Sequence, residues 1–217
     1  MVAPAVSLKA GSSLGSTSLV VHLAWSAVDA SGIFARHLQR QANGGAWVAV
    51  AIPTATATSI DQTLTIGTSY RYRLTATDRA GNASGWTYGH TFKALLVQQS
   101  SGGVLYHGRW TTSRLPAASG KSLRYATVTN AYATYRFSGS SVAWVAYRGP
   151  NRGSAKVYVD GAYKGTVSLY AAGYHARPIT YVFSAAANGS HLLKIVVVGT
   201  SHHPRVDVDA LVRLVLS

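Results

Sequence analysis

The sequence predicts an all-β protein of two consecutive β-sandwiches, and three observations carry that prediction. Apolar and polar residues alternate with period two along most of the chain, the spacing that sends successive strand side chains to opposite faces. Val, Thr, Tyr and Ala fill the alternating runs, while Gly, Ser, Asn, Pro and Asp punctuate them, with 21 Gly in 217 residues. No stretch carries the 3.6-residue period of an amphipathic helix.

Residues 4–95 break into about seven short runs, at 6–8, 19–26, 34–40, 47–52, 59–64, 70–77 and 88–92, the spacing of a β-sandwich. Alternation in 18–25 points Leu19, Val21, Leu23 and Trp25 to one face. Several residues have the placing of a fibronectin type III domain: Trp25, then Asp29 with Ser31-Gly32-Ile33, then Leu64 with Gly67-Thr68 and Tyr70. Ala76, Asp78, Ala80-Gly81-Asn82, Ser84 and Trp86 complete the pattern. Residues 1–96 thus resemble that family, which implies an immunoglobulin-like sandwich used as a spacer or adhesion module. The resemblance makes Tyr70 the tyrosine-corner residue and gives Trp25 a structural role. The family's Arg-Gly-Asp tripeptide is absent, and His22, His37 and His90 are scattered singly.

Residues 97–103 end in Ser-Ser-Gly-Gly and form the expected boundary, short enough to predict a semi-rigid pair. The second part, 104–217, holds about nine alternating runs, the density of a jelly roll. At its centre Asp160-Gly161 joins the runs 155–159 and 163–169. Asp-Gly between alternating runs is a strong hairpin signal, because both central residues of a type I′ turn need φ > 0. If each connection reverses direction, Ser138-Gly139-Ser140, Asp160-Gly161 and Asn188-Gly189 are tight turns at one end. The opposite end then collects the longer loops at 148–153, 170–177 and 200–205. That places Arg148, Asn151, Arg152, Tyr170, Tyr174, His175, Arg177, His202, His203 and Arg205 on one rim. Sugars are recognised by such groups: rings stack on CH faces while planar cations and amides hydrogen-bond hydroxyls.

The second part also resembles the galactose-binding-like sandwiches of secreted bacterial proteins, carbohydrate-binding modules among them. The residues that carry this are Tyr106, Gly108 and Trp110; Ala133, Tyr135, Phe137 and Gly139; and the stretches 148–153, 156–161, 189–195 and 206–210. The resemblance implies glycan binding, a structural role for Trp110, and a structural calcium at Asp209 on the last strand. The Glu that such modules usually supply near their start is missing.

Charge is lopsided. Twenty Lys and Arg, fourteen of them Arg, face six Asp and no Glu; thirteen of the cations and three of the Asp follow Leu96. Such a balance invites acidic polymers. The cations are spread over strands, without any nucleic-acid motif, which argues against specific nucleic-acid recognition. The chain has no Cys, so disulfides and Cys-ligated metals are excluded. Met1-Val-Ala-Pro has no apolar signal core, and the natural leader or a larger upstream protein is expected to be missing. Apolar runs such as 195–198 are too short to span a bilayer. Asp207 and Asp209, two apart on a strand, are expected on one face, where a neighbour could share a cation. His202-His203 point apart and make a poor metal pair. No credible carboxylate pair, Gly-x-Ser-x-Gly elbow, phosphate loop or Cys nucleophile is present.

The reading is a non-catalytic extracellular or cell-surface module that binds neutral or anionic polysaccharide and anchors a larger protein. The competing reading is a structural subunit of a surface layer or filament, in which the same loops contact other subunits, a second copy or the parent protein.

Overall fold

The computed structural model describes residues 1–28, 30 and 32–217; Asp29 and Ser31, two of the residues behind the fibronectin type III resemblance, lie outside the described residues. The described chain is all-β, its one helical element being a 3-10 turn at Ser119–Lys121.

Eight strands come first: β1 (Val2–Leu8), β2 (Ser18–Ser26), β3 (Ile33–Ala42), β4 (Val48–Val50), β5 (Ser59–Thr65), β6 (Ser69–Asp78), β7 (Thr87–Tyr88) and β8 (Phe92–Gln98). A three-stranded sheet, β1-β2-β5, faces a second one in the order β8-β6-β3-β4, with β7 paired to β6. Alternation sets the core between them: Leu19, Val21, Leu23 and Trp25 of β2 are buried against Tyr70, Tyr72 and Leu74 of β6. The Trp25 indole donates to the Ala57 carbonyl at 2.9 Å, and the Tyr70 hydroxyl accepts the Thr65 amide at 3.2 Å. The polar handles of these two buried rings thereby keep a partner.

Nine more strands follow: β9 (Val104–His107), β10 (Thr111–Arg114), β11 (Ser122–Ala126), β12 (Tyr132–Arg148), β13 (Ser154–Val159), β14 (Ala162–Ser168), β15 (His175–Val197), β16 (Val206–Val208) and β17 (Ala210–Leu216). Asp160 and Gly161 turn the β13–β14 hairpin at φ 53° and 81°, with Val159 paired to Ala162. Trp110 lies in the link between β9 and β10, where its indole donates to the His107 carbonyl at 3.2 Å and its ring meets Tyr106 at 5.1 Å.

Two expected turns are absent. Ser138-Gly139-Ser140 runs inside the 17-residue β12, and Asn188-Gly189 inside the 23-residue β15. Both mark a bulge instead: the β12–β15 ladder passes from Gly139↔Gly189 to Ser141↔Ser184, so that one residue opposes four. Bulges of this kind let a strand turn a corner from one sheet to another. Gly139 allows it, since a Cβ there would lie 2.5 Å from the Leu214 carbonyl oxygen. Beyond the corner β12 changes neighbours. Its first part lies between β9 and β15, and its second part between β15 and β17.

That second part is a wall with two buried faces. Val142, Trp144 and Ala146 pack into a core with Phe137, Val157, Ile195 and Val208; Ala143 and Val145 pack with Leu23, Tyr72 and Phe92. Strands buried on both faces read as unbroken apolar runs, as 142–146 does. The backbone is continuous as well, because β17 pairs with β8 from Ala210↔Gln98 to Leu216↔Phe92. A second tie joins Gly11 and Leu14 to the Ile179 and Arg177 carbonyls.

Candidate functional site

The three long loops of the second part meet at one rim. A straight 17-residue strand would separate its ends by roughly 50 Å. Five residues suffice to join Arg148 to Ser154, and Ala155 pairs with Val197 two strands from the start of β12. The bent β12–β15 ribbon therefore brings its two ends within reach of one another. Main-chain amides close the rim: that of Gly153 donates to the Arg205 carbonyl at 2.8 Å, that of Leu169 to the Gly153 carbonyl at 2.8 Å, and that of Ser154 to the Thr200 side-chain hydroxyl at 3.0 Å.

Asp207 is the pin of this rim. It is fully buried, and its two oxygens accept from Arg152 Nε at 2.6 Å and Arg205 Nε at 2.7 Å. Arg152 is itself only 4% exposed, donates to the Asn151 side chain, and lies over the Tyr147 and Tyr174 rings at 5.0 and 5.6 Å. Arg205 lies over Tyr125 at 3.9 Å. These two guanidiniums hold the loops, and their outer faces carry aromatic rings.

The groups left open are Asn151, Tyr170, Tyr174, His175 and His202, all exposed. Arg148 spans the loops through a bond to the Tyr170 carbonyl at 2.9 Å and pairs across the ladder with His175. The Tyr170 and His203 rings meet edge to face at 5.4 Å. A cavity of about 270 Å³ opens between them, lined by Arg152, Gly153, Ser154, Ser168, Tyr170, Thr200 and His203. Arg177 departs from the group: it sits in the left-handed region at φ 57°, binds Leu14 through its carbonyl, and lies close enough to Asp209 to act on that carboxyl.

Reasoning from sequence missed Tyr147, Tyr125, Ser168 and Thr200 because strand ends and loop lengths alone do not say which ring covers which guanidinium. It also missed a second stack. In the first half Arg73 lies between Trp47 and Trp86, at 4.4 and 4.2 Å, and donates twice to Gln39 Oε1.

Asp209 differs from its neighbour. Strand pairing is interrupted at this residue, between β16 and β17, and Asp207 lies close enough to act on its carboxyl. Its Oδ1 accepts the Ser119 amide at 2.9 Å, while Oδ2, Gln98 Oε1 and Gln99 Oε1 are buried acceptors without a donor. Burial pushes the Asp209 carboxyl up to about 7, with the Ser119 amide and Arg177 opposing the shift. Oxygen donors suit a hard cation in kind, but calcium takes six to eight of them and relies on carboxylate charge. One carboxylate and two amides do not fit it. Among the described residues no three or more His, Cys, Asp or Glu gather as a metal site.

With the fold and rim in view, comparison with known proteins gives structural likeness alone. No family model matches the sequence, and no curated protein does. Among solved structures, the chain is similar to a family two carbohydrate esterase from Cellvibrio japonicus at 14% identity and TM-score 0.44, over 57% of this chain and 34% of that one. It is similar to the CBM36-1 domain of a multidomain xylanase from the hindgut metagenome of Trinervitermes trinervoides at 16% identity and TM-score 0.40, over 55% and 95%. A family 35 carbohydrate binding module from Clostridium thermocellum matches at 15% identity and TM-score 0.41, over 55% and 97%. The chain thus spans about a third of the esterase's length. No described helix is long and apolar enough to cross a membrane.

Proposed function

We propose that the chain is a non-catalytic extracellular module whose second part binds polysaccharide at the rim and whose first part, a fibronectin type III-like spacer, holds it away from a larger protein. The observation that carries this reading is the convergence of three sequence-distant loops, with open Tyr and His side chains held over the buried Asp207–Arg152–Arg205 pin. A site fixed before its ligand arrives loses less entropy on binding, and a ring-lined hollow with a few polar groups suits sugar. The three-on-four sheet arrangement of β1–β8 and the Tyr70–Thr65 bond support the spacer.

Depletion of soluble protein by a panel of insoluble neutral and acidic polysaccharides, at low and high salt, tests the reading. Binding that survives salt and disappears in Tyr174→Ala/His202→Ala supports it. Equal binding by that variant would remove the rim from the account. Concentration-dependent self-association without any polysaccharide binding would favour the structural-subunit alternative.

A further inference from the structure

The outward face of the sheet that leads away from the rim cavity at Ser154 and Ser168 carries a second arrangement. On β9, β12, β15, β13 and β14 the inward residues, among them Val104, Ala133, Tyr135, Leu193, Ile195, Ala155 and Val157, are buried. Directly opposed residues of a ladder share a face, so register names the outward set. One row runs Thr166, Lys156, Val196, Tyr132, His107; the next runs Tyr163, Tyr158, Lys194, Thr134, Leu105; a third pairs Leu192 with Arg136.

Lys156, Lys194 and Arg136 therefore stand on three neighbouring strands, each one row further along. They form a diagonal line with steps of roughly 7–8 Å. Rings flank it on both sides. Tyr158 and Tyr163 meet at 5.5 Å on one side; on the other Tyr132 is stacked on His107 at 4.3 Å, with Lys194 Nζ 4.1 Å from its centroid. None of the three cations has an ion-pair partner among the described residues. The nearest carboxylate is Asp160 at the hairpin tip, across Leu192 from Arg136, and its oxygens accept from His191 and the Leu192 amide; Asp207 and Asp209 are buried.

We infer that this face, which adjoins the rim cavity at Ser154 and Ser168, is a binding surface for a linear acidic polysaccharide, independent of the function proposed for the rim. A diagonal of evenly spaced cations, none of them ion-paired among the described residues, complements a chain with acidic groups at regular intervals. Flanking rings and the Tyr163 and Thr166 hydroxyls, themselves 2.9 Å apart, offer sugar-like contacts. Two other occupants fit less well. A second copy docked on the same face would set three cations against three cations. Single-stranded nucleic acid needs open ring faces for its bases, whereas Tyr132 is covered by Lys194 and His107.

The test is retention of the intact chain on immobilised polygalacturonate, with its methyl ester as a neutral control and immobilised oligo(dT) as a second anion. The face variant is Lys156→Gln/Lys194→Gln/Arg136→Gln. A charge-matched variant, Lys93→Gln/Arg114→Gln/Lys121→Gln, removes three exposed cations elsewhere, and Tyr174→Ala/His202→Ala disables the rim. Thermal melts confirm that each variant folds. Expected is salt-sensitive binding to polygalacturonate, weakened roughly tenfold or more in the face variant, with little change in the charge-matched and rim variants and none of it on the methyl ester. Equal losses in both charge variants would reduce the effect to net charge and overturn the proposal. Loss in the rim variant alone would place the acidic polymer at the rim. Absence of polygalacturonate binding would overturn it too, as would retention on oligo(dT) alone.

Discussion

Arg152 and Asp207 form an ion pair at 2.6 Å with both side chains out of water, 5% and 0% exposed. Arg205 adds a second bond to the same carboxylate. One buried negative charge thus ties Arg152, 55 positions away in sequence, to Arg205, only two positions away. Removing it leaves two guanidiniums without a counter-charge. Asp207→Ala is expected to lower unfolding free energy by about 3–5 kcal/mol, read by urea denaturation. A loss below about 1 kcal/mol would mean that the loops close without the pin.

Asp209 sets a pH dependence whose sign is opposite to that of an ordinary paired carboxylate. Its folded-state value of about 7 lies above the ordinary carboxylate value of 3.8, so between those values the folded chain holds a proton that the unfolded chain has lost. This group's contribution is complete below about pH 4, falls as pH rises to about 7, and is constant above that. The slope is about 1.4 kcal/mol per pH unit at most. Asp209→Asn should remove that slope, so variant and wild type diverge steadily from pH 4 to 7 in stability. Calcium or a chelator should leave Tm unchanged, because one carboxylate is too little charge for the ion.

The Tyr174 ring rests on Gly149, where a Cβ would lie 2.4 Å from the nearest ring carbon. Gly149→Ala must therefore move Tyr174 from its place beside Tyr147 and Arg152. On the proposed function, polysaccharide binding should fall about as far as in Tyr174→Ala, and the double variant should bind no worse than either single one. Additive losses would show that Gly149 acts through something other than the ring.

The wall of β12 and β17 serves two cores, so the two halves should lose structure together. Scanning calorimetry is expected to show one transition whose van't Hoff and calorimetric enthalpies agree. Val145→Asp, which buries a charge in the first core, should lower that single Tm steeply. Two resolved transitions would mean that the seven β8–β17 residue pairs do not couple the halves.

Much of this architecture was legible in the chain. Alternation named the face of β2 because a strand has only two sides, and Asp160-Gly161 named its hairpin because few residues accept φ > 0 at both turn positions. The three loops were placed at one rim by counting reversals, yet two of the counted turns are bulges. Gly139 and Gly189 signal a departure from regular strand in either case; whether the chain reverses or turns a corner depends on the Leu214 carbonyl packed against Gly139, a contact 75 residues away in sequence. Local pattern, then, determined the strand class, the inward residues of β2 and the polar character of the loops, since these follow from backbone geometry and the alternation of side chains. Tertiary structure alone decided that the run 142–146 has a core on each side, that Asp207 takes two arginines while Asp209 takes none, and that three lone cations line up on one face. Those depend on which strands become neighbours and in what register, and a shift of one residue would send every one of those side chains to the other side.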